Sequence, residues 1–499
     1  MPSPPAVSPP TATSATTVLS PLLDPALNRL PAAVRTIHLM GICGTGVGAL
    51  AGMLQAQGYA VSGSDQQVYP PMSDFLASLG IPVASGYGPE NLAHRPDLVI
   101  VGNVITRVNP EAEALASLAI PYLSMPQALG LFFLAGKESL VVCGTHGKTT
   151  TSSLLATMLH YLGLDPGFMI GGLVQEFGRN FKIGHGPHFV VEGDEYDTAF
   201  FDKGPKFLHY QPQVAIITSI EFDHADIYAD LEAVKASFRR LVAIMPPAGC
   251  LMANLDDPVV AEICREAKCP VQGYGEGAGR AWTLDDLDIR ADGTRFTALR
   301  DGRVFGQFMT RMPGRHNAMN ALAVIAVLAR SGCSAAAIAE HLPRFPGVRR
   351  RQEVRGEVRG ITVIDDFAHH PTAVRETLAA LKAAYPGRRL VAVFEPRTNS
   401  SRRKVFQDDY VQVFDQADRV LIKEPQPLAT LAEEMRFSGA QLGRDLLSRG
   451  CMARCFADTG EIIGTLVDEA QPGDVIAIMS NGGFDNIHTR LLEALVAEG

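Results

Sequence analysis

The stretch VCGTHGKTT, residues 142–150, separates an apolar run at 138–143 from a helical pattern that starts at Lys148. A glycine-containing loop between a strand and a helix can bind nucleotide phosphates, because backbone N–H groups and the positive end of the helix face them. The common pattern, G-x-x-x-x-G-K-[ST], also requires a glycine five residues before Gly147, where this chain has Val142. The stretch is therefore a damaged phosphate loop, a different kind of phosphate loop, or a chance run of small residues.

Short β-branched runs alternate with helical patterns along most of the chain, beginning with TIHLMG, YAVSGSD and DLVIVGN. This order is typical of βαβ units and predicts parallel sheets covered by helices on both faces. Further series start at ESLVVCG and at ITVIDDFA, and one core does not grow beyond about 250–300 residues. We therefore predict an α/β protein of three consecutive α/β domains: a Rossmann-like N-terminal domain over 36–136, a central phosphate-loop ATPase domain over 137–346 and a Rossmann-like C-terminal domain over 347–499.

Composition narrows the class of protein and its partners. Residues 1–35 are rich in Pro, Ala, Ser and Thr, so we expect a disordered tail, and they lack the basic and apolar regions of a secretory signal. No apolar run approaches the roughly 18 residues of a membrane span, and a net charge of -9 disfavours non-specific binding of nucleic acid. Eight scattered cysteines argue against a disulfide framework. We expect a cytoplasmic protein with neither a membrane nor a nucleic acid as partner.

A first glycine-rich loop, GICGTGVGA at 41–49, follows the first predicted strand. Gly44, Gly46 and Ala49 fit the G-x-G-x-x-[GA] pattern, in which glycines let the backbone approach a diphosphate. Asp65 stands at the end of the second predicted strand, where an acid that binds ribose belongs. Taken alone, the pattern suggests NAD and an oxidoreductase, although a tight turn without a ligand also fits.

The second loop, VCGTHGKTT, points to a nucleoside triphosphate, for which an NAD enzyme has no use. Lys148 can reach the β and γ phosphate oxygens, and the Thr149 hydroxyl can hold Mg²⁺. Two acidic clusters, VVEGDEYD at 190–197 and IEFDHADIY at 220–228, also follow predicted strands and should face the same crevice. Glu192 is a candidate Mg²⁺ ligand, whereas a hydrogen bond or a place in the core explains His224 better from the residues alone.

Three further groups of polar residues lie near the ends of predicted elements. Asn317 and Asn320 stand at a helix start, where they could read an adenine edge, but N-capping explains Asn317 equally well. The motif DDFAHHP at 365–371 ends a strand, and its doubled His and Asp residues are not expected in a core. The run RRR at 349–351 is either a solvated part of the linker HLPRFPGVRRRQE or the source of one guanidinium for an anionic site between domains.

Together, these motifs resemble those of the Mur ligases, a family of three-domain, ATP-dependent amide ligases of peptidoglycan metabolism. The set is G-T-x-G-K-T, D-H-x-D-x-Y at 223–228, G-x-H-N-x-x-N and D-D-x-x-H-H-P, in this order over residues ~36–490. The family's phosphate loop is the short form without the first glycine, so the resemblance explains Val142. It also implies that the first glycine loop binds the diphosphate of UDP-N-acetylmuramate rather than NAD.

The muramate-binding branch of this family contains ligases for L-alanine and ligases for a tripeptide, L-alanyl-γ-D-glutamyl-meso-diaminopimelate, in murein recycling. The stretches SDQQVYPPMSDFL (64–76), EGDEYDTAFFDK (192–203) and MSNGGF (479–484) are similar to the tripeptide ligases. We therefore expect UDP-N-acetylmuramate and the tripeptide as substrates, joined through an acyl phosphate, with L-alanine as the alternative. Several family members carry a carbamylated lysine about fifteen residues after the His of D-H-x-D-x-Y, but Arg239 stands here and we predict no carbamate.

The resemblance also implies roles for individual residues. Lys148, Glu192 and His224 are the implied catalytic residues, and Thr149, Glu192 and His224 are the implied Mg²⁺ ligands. The implied ATP-binding residues are Gly144, Thr145, His146, Gly147, Lys148, Thr149, Thr150, Asn317, Arg350, Asp366 and His369. The implied residues for UDP-N-acetylmuramate are Gly44, Thr45, Gly46 and Asp65. We choose Arg397, in EPRTNSSRR at 395–403, for the carboxylates of the tripeptide, although an ordinary surface arginine fits this pattern nearly as well.

Overall fold

The computed structural model describes residues 22–428 and 431–497. Three mainly parallel sheets follow one another along the chain, and helices cover them. This confirms the predicted class of three consecutive α/β units, which we call the first, central and third units. Within the described ranges, no helix is both long and apolar enough to cross a membrane.

The first unit contains a sheet of five parallel strands. Its strands are β1 Thr36–Met40, β2 Ala60–Asp65, β3 Val83–Ser85, β4 Leu98–Val101 and β5 Tyr122–Ser124, and its helices are α1 Thr45–Ala56, α2 Met72–Ser78, α3 Pro110–Leu118 and α4 Met125–Leu129. The order is β3-β2-β1-β4-β5. This order reverses between β1 and β4, the position at which such sheets bind ligands, and the glycine loop at 41–49 follows β1.

The central unit contains ten strands in one sheet and a separate hairpin. The strands are β6 Glu138–Cys143, β7 Gly167–Val174, β8 Arg179–Lys182, β9 His188–Gly193, β10 Asp197–Ala199, β11 Asp202–Pro205, β12 Val214–Ile217, β13 Cys250–Asn254, β14 Val271–Gly275, β15 Trp282–Arg290, β16 Gly293–Arg300 and β17 Arg303–Thr310. The helices are α5 Lys148–Tyr161, α6 Leu231–Ile244, α7 Pro258–Cys264, α8 Arg315–Arg330 and α9 Ala335–His341. The sheet order is β17-β16-β15-β14-β13-β12-β6-β9-β7-β8, and β10 pairs with β11.

Two features of this sheet bear on the site. The strands β12, β6 and β9 are parallel neighbours, so the segments that follow them meet at one edge. The antiparallel strands β15 to β17 extend the sheet beyond β14, and the sequence patterns did not predict them. In WTLDDLDIR, half-buried and exposed positions follow no clean alternation, and the register shifts between Asp285 and Asp288, which weakens a strand signal.

The third unit contains a sheet of six strands. The strands are β18 Glu353–Val358, β19 Ile361–Asp366, β20 Leu390–Phe394, β21 Arg419–Lys423, β22 Ala453–Phe456 and β23 Val475–Met479, and the helices are α10 Pro371–Ala384, α11 Gln407–Val411, α12 Gly439–Ser448, α13 Thr459–Glu469 and α14 Ile487–Ala497. The order is β18-β19-β23-β20-β21-β22, and only β18 runs antiparallel to its neighbour. The carboxyl ends of β19, β23 and β20 are adjacent, and the motif DDFAHHP follows from the end of β19.

Two segments differ from the sequence-based expectation. Residues 1–21 of the predicted disordered tail lie outside the described residues, but residues 22–35 pack on the first unit: Leu23 is buried, and the Asn28 amide donates to Tyr122 O at 3.0 Å. The predicted linker at 341–353 is also packed, since Phe345 and Val348 are buried in the central core. In both segments a few apolar residues in a polar or proline-rich context find a binding surface that composition alone does not reveal.

Candidate active site

The phosphate loop adopts a conformation that requires two of its glycines. Gly144 and Gly147 have φ angles of +128° and +78°, a region that residues with a side chain rarely adopt. A Cβ at position 144 would lie 2.1 Å from Thr218 Oγ1, and a Cβ at position 147 would lie 2.8 Å from Asn320 Oδ1. The loop is therefore packed closely against the end of β12 on one side and against α8 on the other.

Thr145 and His146 tie this loop to the segment after β12. The Thr145 N–H donates to Ser219 O at 2.9 Å, and Thr145 Oγ1 accepts from the Glu221 N–H at 2.9 Å. The His146 ring donates from Nε2 to the Glu221 carboxylate at 2.8 Å. Thr150 is buried in the first turn of α5. These contacts fix the loop within the crevice that the strand ends form.

The Lys148 ammonium lies over the loop, where it donates to Gly144 O at 2.6 Å and to Glu195 Oε2 at 2.9 Å. Burial lowers the pKa of Lys148, but the carboxylates of Glu195, Asp194 and Glu192 outweigh burial and raise that pKa above its usual value. Lys148 is therefore a cation at any physiological pH. It is the first residue of α5, at the helix N-terminus that attracts phosphate.

Glu192, at the end of β9, lies beside the first turns of α5. Its Oε1 accepts from Ser152 Oγ at 3.2 Å. A Cβ at position 171 would lie 2.7 Å from Glu192 Oε2, so the glycine there keeps space beside this oxygen. Burial, and then the charge of Asp194, raise the pKa of Glu192. A half-buried carboxylate with space beside one oxygen fits the Mg²⁺ that the family resemblance implies, because Mg²⁺ takes oxygen ligands and one or two carboxylates.

His224 faces the same crevice from the segment after β12. Its Nε2 lies 3.6 Å from Glu195 Oε1, and its ring centre lies 5.0 Å from that of Tyr196. The side chain is 31% exposed, so a place in the core does not explain it. Its backbone φ is +52°, in the left-handed region that is uncommon for a residue with a side chain. Glu195 thus stands between Lys148 and His224.

The glycine loop of the first unit is braced by Asp65. The two oxygens of this carboxylate accept from the Cys43 N–H at 2.9 Å and from the Gln67 N–H at 3.0 Å. Gly44 is the N-cap residue of α1, which begins at Thr45. A Cβ at position 46 would lie 3.2 Å from Met125 Cε. The structure thus gives Asp65 a role in shaping the loop, while its contact with a ribose stays a prediction.

Asn317 lies inside α8 and does not cap it. Gly314 is the N-cap residue, and the Asn317 amide donates to Pro313 O at 2.8 Å and to Gln352 Oε1 at 3.1 Å. The N-capping explanation is therefore wrong. The hydrogen bond to Gln352 joins α8 of the central unit to the arginine-rich segment at 349–353. Adenine recognition by Asn317 stays a prediction.

Asp366 and His369 shape the turn that follows β19. Asp366 accepts from the Gln352 N–H at 2.8 Å and from the Ala368 N–H at 2.7 Å, and burial raises its pKa. The His369 Nδ1 donates to Phe367 O at 3.0 Å, and burial lowers the pKa of His369. These contacts fix the turn after β19 within the third unit, and the contacts of Asp366 and His369 with a nucleotide stay predictions.

The structure separates the roles of two adjacent arginines. The Arg350 guanidinium donates to Ser480 O at 2.6 Å and to Gly482 O at 2.7 Å, so it holds the loop after β23. The Arg351 guanidinium instead reaches the phosphate loop, where it lies 3.4 Å from Thr149 Oγ1. Burial lowers the pKa of Arg351. The sequence pointed to Arg350 as the arginine of the nucleotide site, and this stays a prediction; of the two guanidinium groups, that of Arg351 is the one that contacts the phosphate loop.

Arg397 lies outside this cluster, in the loop after β20. Its side chain is 52% exposed and lies over Gly482, where a Cβ would come within 2.2 Å of Arg397 Cδ. The nearest carboxylate oxygen is Glu395 Oε1, at 3.9 Å from Arg397 Nη1. Arg397 is thus an exposed cation on the third unit, which a carboxylate substrate could reach, but its role stays a prediction.

The structure brings several residues to the site for which the sequence predicted no role. Glu195 was quoted within EGDEYD without a role, although it contacts Lys148 and lies near His224. Glu221 and His370 approach each other across the boundary between the central and third units, with 3.5 Å between Glu221 Oε2 and His370 Nδ1. Their presence in acidic or doubled-His motifs at strand ends was the only signal in the sequence.

Comparison with known families now defines the class of protein. The model described as "Mur ligase family, catalytic domain" matches residues 36–136, the "Mur ligase middle domain" matches residues 142–328, and the "Mur ligase, glutamate ligase domain" matches residues 350–482. The chain belongs to the Mur ligase family, so the resemblance of its motifs is confirmed. It is an ATP-dependent ligase that forms a carbon–nitrogen bond.

Individual relatives are more specific. The chain is 40% identical over 460 residues, 92% of this chain and 98% of the relative, to the UDP-N-acetylmuramate–L-alanyl-γ-D-glutamyl-meso-2,6-diaminoheptandioate ligase of Escherichia coli (strain K12). A murein peptide ligase from Psychrobacter arcticus 273-4 is 35% identical, with a TM-score of 0.67 over 92% of this chain and 98% of that chain. The UDP-N-acetylmuramate–L-alanine ligase of Alkaliphilus metalliredigens is 34% identical over 92% of this chain and 97% of the relative.

Proposed function

We propose that the protein joins the lactyl carboxylate of UDP-N-acetylmuramate to the amine of L-alanyl-γ-D-glutamyl-meso-diaminopimelate, with ATP, in murein recycling. The observation that carries this proposal is the 40% identity over nearly the whole chain to a ligase of this name. The Lys148, Glu195, Glu192 and His224 arrangement supports it, because phosphoryl transfer needs fixed charges around the transferred group more than covalent chemistry from the protein. The comparisons give no support to an NAD-dependent oxidoreductase.

The proposed reaction has two steps. A carboxylate oxygen of UDP-N-acetylmuramate attacks the γ-phosphorus of ATP and ADP leaves; the tripeptide amine then attacks the acyl carbon of the acyl phosphate, loses a proton, and inorganic phosphate leaves. Lys148 and the N–H groups of the phosphate loop stabilise the charge on the transferred phosphoryl group. Thr149, Glu192 and His224 would hold Mg²⁺, which neutralises phosphate charge when bound. Arg351 supplies a further cation from the segment that leads into the third unit.

We also propose a division of labour among the units. Residues 36–136 bind UDP-N-acetylmuramate through the Gly44–Gly46 loop, residues 137–346 bind ATP, and residues 347–499 bind the tripeptide through Arg397. The segment after β12 in the central unit contacts the segment after β19 in the third unit, through Glu221 with Thr372 and Phe222 with His370, which supports this division. We propose the cytoplasm as the compartment, because UDP-N-acetylmuramate and ATP are cytoplasmic metabolites in this reaction scheme.

ADP release tests the proposal. The purified protein with ATP, Mg²⁺ and UDP-N-acetylmuramate should release ADP continuously, over many turnovers, only when the tripeptide is present, and Lys148→Ala should abolish the release. A second candidate, ligation of L-alanine, has a specific basis in the 34% identity to an alanine ligase. Faster ADP release with L-alanine than with the tripeptide would favour this second candidate and leave the mechanism unchanged.

A further inference from the structure

The segment 221–226 carries His224 in a strained backbone conformation. A φ of +52° is uncommon for a residue with a side chain, and such conformations persist only where the surrounding structure holds them. Within the central unit, the Glu221 N–H donates to Thr145 Oγ1 at 2.9 Å, and the Tyr228 N–H donates to His224 O at 2.9 Å. His146 and Glu195 of the central unit also contact this segment, and the third unit contacts it on both sides of His224.

The start of the segment is anchored at the N-terminus of α10. Thr372 Oγ1 donates to Glu221 Oε1 at 3.0 Å, and the His370 ring donates from Nε2 to Phe222 O at 3.1 Å. The Phe222 ring packs against the core of the third unit, with its centre 6.1 Å from that of Phe406. This side of His224 is therefore fixed by both polar and apolar contacts.

The end of the segment is anchored by the loop after β20. The Ala225 N–H donates to Ser400 Oγ at 3.1 Å, and the Asn399 amide donates to Asp226 Oδ2 at 2.9 Å. Asn399 and Ser400 follow Arg397 by only two and three positions in EPRTNSS. One short loop of the third unit thus carries both a candidate cation for the tripeptide and the contacts that flank His224.

We propose that Asn399 and Ser400 are positioning residues that hold His224 toward Glu195 and Glu192, and that they couple the tripeptide-binding loop to the Mg²⁺–ATP site. The inference rests on the proposed function, since it takes His224 as a Mg²⁺ ligand and the loop after β20 as part of the tripeptide site. The physical reason is direct. Without the two hydrogen bonds, the strained residue relaxes and its ring leaves the crevice.

Reciprocal substitutions test the contact between Asn399 and Asp226. Asn399→Asp places a second carboxylate against Asp226, and it should raise the Mg²⁺ concentration for half-maximal ADP release about tenfold, because a hydrogen bond to a charged group is worth about that factor in an equilibrium constant. Adding Asp226→Asn restores a donor and an acceptor across the contact, and it should return the requirement to within about twofold of the wild type. The KM for UDP-N-acetylmuramate, which binds to the first unit, should stay unchanged throughout.

A second readout does not depend on activity. Hydrogen exchange of the substrate-free protein should become faster at amides 221–228 in Asn399→Asp and in Ser400→Ala, and slower again in the double variant. Gln412→Ala and Ser448→Ala, on an exposed part of the third unit away from the segment, serve as controls and should leave both readouts unchanged. If Asn399→Asp exchanges like the wild type and keeps its Mg²⁺ requirement, or if the double variant rescues neither readout, the inference is wrong.

These outcomes are distinguishable from failure of the proposed function. A wild-type protein that releases no ADP with UDP-N-acetylmuramate and the tripeptide would overturn the proposed function, whatever the exchange data show. A wild-type protein that is active, with variants that raise the KM of every substrate equally, would show ordinary packing between units and overturn only the coupling.

Discussion

The Glu195 carboxylate lies 2.9 Å from the Lys148 ammonium, and their side chains are only 2% and 13% exposed. Two buried opposite charges offset each other's desolvation, but removal of one leaves the other uncompensated. The Glu195 carboxylate therefore holds the phosphate-loop lysine in place.

Lys148→Met should abolish ADP release and also lower the stability of the protein by about 3 kcal/mol, because it leaves Glu195 buried without its cation. Adding Glu195→Gln should recover most of this stability without recovering activity. Thermal unfolding and ADP release, measured on the same samples, separate the two effects. A Lys148→Met variant with the unfolding temperature of the wild type would contradict the assignment of this pair.

Gly147→Ala and Gly163→Ala form a matched pair near the two ends of α5. Their φ angles are +78° and +77°, so the backbone strain of an alanine is the same at both positions, on the order of 1 kcal/mol. A Cβ at 147 meets Asn320 Oδ1 at 2.8 Å, whereas a Cβ at 163 meets nothing within 4 Å. Only Gly147→Ala should raise the KM for ATP; equal KM values in the two variants would show that the loop has more room than the structure indicates.

The two adjacent arginines should respond differently to substitution. Arg351→Ala should lower kcat/KM for ATP about a hundredfold, as expected for loss of a cation placed near the transferred charge. Arg350→Ala removes the contacts with Ser480 O and Gly482 O, so it should mainly lower the unfolding temperature. Steady-state kinetics and thermal unfolding of both variants give the comparison, and a larger kinetic effect at Arg350 would support the sequence-based prediction of Arg350.

Stability should fall below neutral pH partly because of His370. In the unfolded chain its imidazole binds a proton near pH 6.5, whereas burial, and then the charge of His146, lower the pKa of His370 to about 4 in the folded protein. Between these two pKa values the unfolded state binds more protons than the folded state. The contribution of His370 to the free energy of unfolding is therefore complete above pH 6.5 and is lost as the pH falls toward 4. Glu221, His146 and Asp223 are the titratable groups that face it.

His370 is the N-cap residue of α10, where its ring accepts from the Thr372 N–H. His370→Asn isolates the pH effect, because asparagine can make the same kind of cap. In the wild type the free energy of unfolding should fall by on the order of 3 kcal/mol between pH 6.5 and 4 because of His370, and the variant should lack this part of the fall. Urea unfolding over this pH range measures it, with His185→Asn at an exposed position as the control. The same slope in His370→Asn and in the wild type would show that folding does not lower the pKa of His370.

Arg397→Ala should raise the KM for the tripeptide without changing the KM for ATP, because the side chain lies on the third unit away from the phosphate loop. Arg375→Ala is the matched control, since the Arg375 and Arg397 side chains are equally exposed, at 52%. Initial rates at varied tripeptide concentration give the KM for the tripeptide in both variants. An equal effect of both substitutions would indicate general attraction of an acidic substrate rather than a specific contact.

Strong local patterns allowed much of the fold and site to be predicted. Hydrophobic pattern and turn chemistry act over short distances along the chain. They predicted the strand, loop and helix around VCGTHGKTT, the polar clusters at the strand ends near Glu192 and His224, and the parallel α/β units. Glu195 and Arg351 could not be assigned, because every member of EGDEYD or RRR looks alike until the backbone decides which side chain faces the crevice.

The packed segments at 22–35 and 341–353 illustrate a second limit. Their composition resembles that of a tail and of a linker, and only a surface formed by distant residues gives Leu23, Phe345 and Val348 a place to bury. Contacts between units, such as those of Asn399 and Ser400 with the segment 221–226, depend in the same way on how three units pack together. No periodicity in one segment encodes them.

A competition experiment tests the central claim most directly. The protein is incubated with ATP, Mg²⁺, limiting UDP-N-acetylmuramate and equal concentrations of L-alanine and the tripeptide, and the two nucleotide products are counted by mass spectrometry in the early phase of the reaction. The account predicts that the UDP-N-acetylmuramoyl-tripeptide predominates, with one ADP released for each product formed. A predominance of UDP-N-acetylmuramoyl-L-alanine, or product formed without ADP, would contradict it.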